Sequence, residues 1–155
     1  MMTEEQYIES LRRQQKRVYF MGQLVENAVD HPAIRPHINA AAVTYRLAHD
    51  PEHAETATAI SHLTGRKINR WTHIPQNRED LVKKVQMLRA AGRVTGTCFQ
   101  RCVGMDGLIT LYTITWEIDR KYGTSYHERF KRFLIETQDN DWMTGGAMTD
   151  PKGNR

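Results

Sequence analysis

The sequence predicts one mainly α-helical domain with a single small β excursion. Apolar residues recur at intervals of three and four over most of the 155 residues, and helix-capping residues precede several of these segments. The stretch "TAISHLTGRKINRWTHIP" departs from that pattern. Hydrophobic residues make up 39% of the chain, which is therefore long and apolar enough to bury a core.

The first helix is predicted from a capping box, because Gln6 follows Thr3 by three residues. Its apolar register continues through Leu11 and, imperfectly, towards Val25. The two prolines of "HPAIRP" then interrupt the chain, since proline lacks a backbone donor. The following stretch, "HINAAAVTYRLAHD", predicts a short helix that ends before Pro51.

The β excursion is predicted as a hairpin around Gly65, because β-branched and aromatic residues flank the turn signal "LTGRK". Asn77 then predicts the start of a helix that ends at Gly92. The residues expected on the buried face of that helix are Leu81, Val85 and Leu88.

Two more helices are predicted in the last third of the chain. The first runs from about Thr95 to Tyr122 and ends at Gly123. The second begins with a capping box formed by Ser125 and Glu128. Its expected buried stripe consists of Tyr126, Phe130, Phe133, Leu134 and Thr137.

The chain has two cysteines, Cys98 and Cys102, both within "TCFQRCVGMDG". The predicted helix places them one turn apart on the same buried face. That face continues through Met105, Ile109, Tyr112 and Trp116. A second apolar surface of this helix consists of Phe99, Val103, Leu111, Ile114 and Ile118, so neighbours are expected on two sides. Arg101, between the cysteines, is expected to form a surface salt bridge.

The spacing of the cysteines leaves two interpretations open. Free cysteine packs well as a small apolar residue, so both thiols could be inert parts of the core. A disulfide within one helical turn is disfavoured by its geometry, and a zinc site lacks a second pair of cysteines. The seven histidines are scattered and show no ligand spacing. An iron–sulfur cluster suits two adjacent thiols, but its other ligands would lie beyond Arg155 or in a second copy of the chain.

Composition argues against several classes of partner. The net charge is +4, but basic and acidic residues are interleaved, which is typical of solvated helix surfaces rather than of a nucleic-acid interface. Apolar runs are too short to span a bilayer, and "MMTEEQ" is acidic where a signal peptide is basic. The expectation is a cytoplasmic protein without nucleic-acid or membrane partners.

The C-terminal stretch "TGGAMTDPKGNR" is rich in turn formers and has no helical pattern. It is either a frayed terminus or the entrance to a further domain. We divide the chain accordingly into a helical domain, residues 1–145, and the start of a linker, residues 146–155, that leads into a middle β domain.

Several motifs together carry a family resemblance over essentially the entire chain. They are "TCFQRCVGMDG", "EQYIESLR", "DHPAIRP", "WEIDRKYGT" and "GAMTDPKGNR". They closely resemble the N-terminal segment of the 4-hydroxybutyryl-CoA dehydratases, which are also vinylacetyl-CoA isomerases. Those enzymes form a branch of the wider family of flavin-dependent 4-hydroxyphenylacetate 3-hydroxylases. The hydroxylases carry an R-S-P-D-Y-type motif, whose arginine and tyrosine hold a phenolic substrate, where this chain reads "CFQRC".

The resemblance implies a full-length enzyme about three times as long, with an acyl-CoA-dehydrogenase-like arrangement of helical, β and helical domains. It implies an acyl-CoA substrate, FAD, a 4Fe-4S cluster and a homotetramer. Cys98 and Cys102 correspond to two cluster ligands, and the remaining ligands, a histidine and a cysteine, belong to the middle domain. The implied flavin contacts are Met148, Thr149, Lys152, Asn154 and Arg155, although the family commonly has aspartate at the position of Asn154.

Two other functions remain as alternatives. One is a flavin monooxygenase of the same broad family, which the missing arginine and tyrosine of the phenol site disfavour. The other is a non-catalytic helical interaction domain with inert cysteines. No catalytic residue is assigned within these 155 residues.

Overall fold

The computed structural model describes residues 1–14 and 16–146, and these residues form helices with two small antiparallel hairpins, which confirms the predicted fold class. The α-helices are α1 (Glu4–Arg12), α2 (Arg35–His49), α3 (Ala54–Ala57), α4 (Arg78–Thr95), α5 (Cys102–Tyr122) and α6 (Tyr126–Asp139). The strands are β1 (Val18–Phe20), β2 (Gln23–Val25), β3 (Thr58–Ile60) and β4 (Lys67–Asn69), and a short 3₁₀ turn covers Arg70–Thr72. None of the helices in the described part is long and apolar enough to cross a bilayer.

Helix α1 begins with the predicted capping box, in which Thr3 Oγ1 accepts from Gln6 N–H and Gln6 Oε1 accepts from Thr3 N–H. Its predicted continuation towards Val25 is wrong. The chain instead forms the β1–β2 hairpin, whose two-residue turn places Met21 and Gly22 at φ 50° and 80°. Positive φ at both central positions matches the turn that suits the twist of a hairpin.

Helix α2 ends before Pro51 as predicted, and α1 packs along it. The rings of Tyr7 and Tyr45 stack there with their centroids 4.5 Å apart. The predicted hairpin around Gly65 is confirmed: β3 pairs with β4 in a register that sets Thr58 opposite Asn69. Gly65 takes a φ of 69°, which glycine adopts without strain.

Helix α4 begins at the predicted cap, where Asn77 Oδ1 accepts from Asp80 N–H at 3.0 Å. It ends at Thr95 with Gly96 at φ 60°, rather than at Gly92. Its predicted buried face is also displaced. The buried residues are Met87 and Ala91, and Leu88 packs against the same core, whereas Leu81 and Val85 are about half exposed. Apolar residues surround much of this helix, so their periodicity alone did not identify the inner face.

Helix α5 ends at the predicted glycine, Gly123, at φ 64°. It begins at Cys102, seven residues later than predicted, and only one side is covered in the described residues. Its buried residues are Gly104, Met105 and Leu108. The predicted second apolar surface is largely uncovered: Val103, Leu111 and Ile114 are 40–46% exposed.

Helix α6 packs against α5, but its cap differs from the predicted one. Ser125 makes no capping bond. The Asp119 carboxylate accepts from the backbone N–H groups of Tyr126 and His127, each at 2.8 Å. The buried residues of α6 are Phe130, Leu134, Thr137 and Gln138, whereas Tyr126 and Phe133 of the predicted stripe are exposed.

A candidate metal centre at two cysteines

The two cysteines lie in the connection between α4 and α5, not on one buried helical face. Cys98 precedes α5 and is exposed, whereas Cys102 is the first residue of that helix and is half-buried. The backbone between them passes through Gln100 at φ 63°, in the left-handed region, so the predicted helix cannot extend back to Thr95.

Side chains in this connection alternate between two environments. Cys98, Gln100 and Cys102 line a cavity of about 540 Å³. Phe99 and Arg101 face the interior instead: the Phe99 ring packs 5.1 Å from that of buried Trp71, and Arg101 is 2% exposed. Both thiols therefore open onto one cavity, while Phe99 and Arg101 anchor the connection to the core.

Three parts of the fold supply much of the remaining cavity wall, and Lys16 and Val103 line it as well. Helix α1 contributes Tyr7 and Ser10, α2 contributes Tyr45, and the segment 142–146 contributes residues that include Trp142 and Met143. Burial raises the pKa of Tyr45, and the nearby Arg101 offsets this only in part. Burial also raises the pKa of Tyr7. Both phenols therefore stay protonated near neutral pH and contribute uncharged side chains to the wall.

Arg101 forms a buried ion pair, contrary to the predicted surface salt bridge. Its Nη2 lies 2.6 Å from Asp141 Oδ1, and both side chains are at most 2% exposed. The guanidinium also lies over the ring of Tyr45, 4.4 Å from its centroid. Asp141 was not identified from the sequence, because nothing local distinguishes it from the other acidic residues near the end of α6.

The segment 142–146 packs directly on the first turn of α5. A methyl group at Gly104 would overlap the carbonyl oxygen of Thr144, and one at Gly146 would press on the Val103 side chain. The two glycines thus permit close approach of backbone to helix beside Cys102. Gly145 and Gly146 line the cavity as well.

The donors present fit half of a cluster site. Cys98 and Cys102 are free thiols at one cavity, and thiolates are the preferred ligands of iron–sulfur clusters. The start of α5 adds the partial positive charge of a helix N-terminus, which favours a negatively charged group. Within residues 1–14 and 16–146, no group of three or more His, Cys, Asp or Glu side chains could hold a metal. The five predicted flavin contacts, Met148, Thr149, Lys152, Asn154 and Arg155, lie outside the described residues.

Comparison with known proteins identifies the chain's relatives. Over 155 residues it is 54% identical to the 4-hydroxybutyryl-CoA dehydratase/vinylacetyl-CoA-Δ-isomerase of Clostridium aminobutyricum, covering 100% of this chain and 32% of that protein. Its fold superposes on an oxygen-tolerant archaeal 4-hydroxybutyryl-CoA dehydratase from N. maritimus with a TM-score of 0.92 and 51% identity, covering 99% of this chain and 30% of the other.

A more distant relative is the oxygenase component of 4-hydroxyphenylacetate 3-monooxygenase from Thermus thermophilus. It is 25% identical over 154 residues, which cover 99% of this chain and 31% of that protein. The chain thus spans about a third of the length of the relatives it matches. The family model described as "4-hydroxyphenylacetate 3-hydroxylase N terminal" matches residues 3–155. The chain therefore belongs to the 4-hydroxyphenylacetate 3-hydroxylase family and corresponds to its N-terminal region.

Proposed function

We propose that this chain is the N-terminal domain of a dehydratase that converts 4-hydroxybutyryl-CoA to crotonyl-CoA and also isomerises vinylacetyl-CoA. Residues 1–145 form the domain, and residues 146–155 begin the connection to a middle β domain. The observation that carries the proposal is the pair of free thiols at one cavity, in a chain 54% identical throughout to such an enzyme. The complete protein acts on an acyl-CoA and assembles as a homotetramer.

In this proposal Cys98 and Cys102 are two ligands of a 4Fe-4S cluster, and the other ligands lie outside this chain. FAD is the second cofactor, with Met148, Thr149, Lys152, Asn154 and Arg155 as its contacts here. When bound, the cluster supplies a Lewis acid for the departing hydroxyl group, and the flavin supplies a one-electron acceptor.

The residues of this chain bind and orient rather than move protons. The interior anchors Phe99 and Arg101 fix the connection that carries both thiols, so that the ligands are placed before the metal arrives. Tyr7 and Tyr45 are uncharged side chains of the cavity wall. The Tyr45 hydroxyl donates to the carbonyl oxygen of Asp141 at 3.2 Å, so its proton is already used in a hydrogen bond. We therefore assign removal of the substrate proton to residues outside this chain.

Replacing either cysteine tests the ligand assignment. In the full-length protein, we expect Cys98→Ala and Cys102→Ala to abolish dehydration and to lose bound iron, since each removes a thiolate from the cluster. Iron and acid-labile sulfide are measured after anaerobic purification, and FAD content is measured in the same samples. Thr97→Ala, next to Cys98 but without a thiol, is the matched control and should keep its iron. Unchanged iron in either cysteine variant would contradict the assignment.

The same anaerobic preparation separates the three functions. A protein that contains iron, sulfide and FAD and dehydrates 4-hydroxybutyryl-CoA supports the dehydratase. An iron-free flavoprotein that hydroxylates phenols would support the monooxygenase, which is the function of the more distant relative. A protein with neither cofactor would support the interaction domain.

A further inference from the structure

We infer that Arg101 is a positioning residue: through its buried ion pair with Asp141 it holds Cys98 and Cys102 at the separation that lets one ligand engage both thiols. The identity of that ligand as an iron–sulfur cluster rests on the proposed function, whereas the placement of the thiols does not.

Arg101 anchors the connection between α4 and α5, which carries both thiols, to the protein interior. It directly precedes Cys102, and it is absent from the lining of the cavity. Its Nη2 donates to Asp141 Oδ1 at 2.6 Å and reaches the carbonyl oxygens of Asp141 and Trp142 at 3.4 Å. Its Nη1 donates to Thr44 Oγ1 at 3.4 Å. Arg101 therefore does not contact the cavity itself and acts on it through the backbone that carries the cysteines and through the neighbouring wall residues Tyr45 and Trp142.

Asp141 is fixed just as firmly from other parts of the fold. Its Oδ2 accepts from the backbone N–H of Met2 at 3.1 Å and from Asn69 Nδ2 at 3.3 Å, and its carbonyl oxygen accepts from the Tyr45 hydroxyl at 3.2 Å. The pair therefore joins the chain start, α2, β4 and the end of α6 to the residue before Cys102. It also sets the start of segment 142–146, which forms another part of the cavity wall.

The energetics of buried ion pairs favour a positioning role over a purely stabilising one. Removing two charges from water is costly, so apolar residues of similar volume often stabilise a core as well as a buried ion pair or better. The ion pair instead fixes the orientation of the Arg101 side chain. A planar guanidinium that stacks on Tyr45 and bonds to a carboxylate has little rotational freedom, which fixes the adjoining backbone.

The test measures thiol placement directly in the full-length protein, after the metal is removed by chelation. Phenylarsine oxide condenses with two thiols to form a cyclic dithioarsinite and water, so it binds tightly only where both sulfurs can reach one arsenic atom. Its affinity is measured by competition with ethanedithiol, and the Cys98→Ser/Cys102→Ser protein gives the background. We expect Arg101→Met to weaken binding at this pair by about 10- to 100-fold, as losses of supporting contacts do at metal sites. Arg101→Lys keeps the charge but not the planar guanidinium. Its arsenical affinity should lie between those of the unaltered protein and Arg101→Met.

A matched control separates positioning from general stability. Arg70 is also buried, pairs with Asp80 at 3.0 Å and donates to the carbonyl oxygens of Thr56 and Thr58, yet it lies outside the thiol connection. Arg70→Met should lower the melting temperature but leave arsenical affinity unchanged. Equal effects of Arg70→Met and Arg101→Met on that affinity, or no effect of either, would overturn the inference. If Arg101→Met does not fold, the comparison of Arg101→Lys with Arg70→Lys decides in the same way.

Iron retention distinguishes failure of this inference from failure of the proposed function. Release of iron to a chelator should be faster from Arg101→Lys than from the unaltered protein. An unaltered protein without iron, combined with weakened arsenical binding in the Arg101 variants, would refute the cluster and leave the positioning role standing. Normal iron in the unaltered protein, combined with unchanged arsenical binding in the Arg101 variants, would refute the positioning role and leave the cluster standing.

Discussion

Gly104 is a residue at which the segment 142–146 packs closely on α5. Any side chain at this position would meet the backbone of Thr144, which, unlike the end of a flexible side chain, cannot rotate away. Glycine is therefore required here for close packing, not for an unusual backbone dihedral angle. The position lies two residues after Cys102. Local sequence gives no sign of this, since glycine within a helix ordinarily signals only weakness.

At this residue scale, we predict that Gly104→Ala destabilises the protein by about 1–3 kcal/mol, because the added methyl group forces segment 142–146 away from α5. Gly107→Ala is the control. It lies on the same helix with no atom within 4 Å of the added methyl group, and should stabilise by roughly 0.5–1 kcal/mol. Melting temperatures of the full-length variants measure both effects. A Gly104→Ala protein as stable as Gly107→Ala would show that the close approach does not exist.

Among the elements, those with local signals were predicted and those fixed by distant contacts were not. The capping box of α1, the cap of α4 and the turn at Gly65 each depend on a few adjacent residues, and the structure confirms all three. The start of α5 was placed too early because Arg101 is fixed by Asp141, forty residues away in sequence. The ligand role of both cysteines stays a prediction, whereas their predicted burial on one helical face is wrong and their support by Arg101 and Asp141 was not predicted.

The start of α4 gives a prediction at the element scale that concerns pH. Burial raises the pKa of Asp80, but hydrogen bonds from the Gln76 backbone N–H and Arg70, together with the contact of His73, outweigh it and bring the pKa down from 3.8 to about 2. A lowered pKa means that the contribution to stability is complete above pH 4 or so and is lost as pH falls towards 2.

Asp80→Asn should therefore destabilise the protein at neutral pH by about 1–3 kcal/mol, because it leaves Arg70 buried without its partner. The difference in melting temperature between the unaltered protein and the variant should shrink as pH is lowered from 5 to about 2.5. Asp106→Asn is the control: Asp106 pairs with Lys84 at the surface, where ion pairs contribute little. A difference for Asp80→Asn that does not change with pH would contradict the predicted linkage.

For the whole molecule, the uncovered apolar side of α5 is the dominant surface feature. Val103, Leu111 and Ile114 are 44%, 46% and 40% exposed and form a strip that begins near the cavity. Trp116, 47% exposed, lies on the other face of the helix, which was predicted to be buried. The sequence predicted apolar neighbours on this side, and the described residues supply none. Apolar strips of this kind favour association when they are left in water.

We therefore predict that the 155-residue chain, produced by itself, self-associates and binds a hydrophobic dye. Leu111→Gln/Ile114→Gln should reduce both effects, whereas Thr113→Gln, exposed on the same helix but outside that strip, should not. Light scattering after gel filtration measures the first effect and dye fluorescence the second. A monomeric chain that melts cooperatively without dye binding would contradict the expectation.

The inward and outward alternation from Cys98 to Cys102 has a consequence for how this site tolerates change. Odd-numbered and even-numbered positions face opposite surroundings, so the thiols share an opening only because an even interval separates them. Deleting or inserting a single residue there would invert the parity, turning a sulfur into the interior and a guanidinium or phenyl group outwards. Substitutions leave that parity intact, so the number of residues between the sulfurs is a requirement separate from the chemical character of those residues.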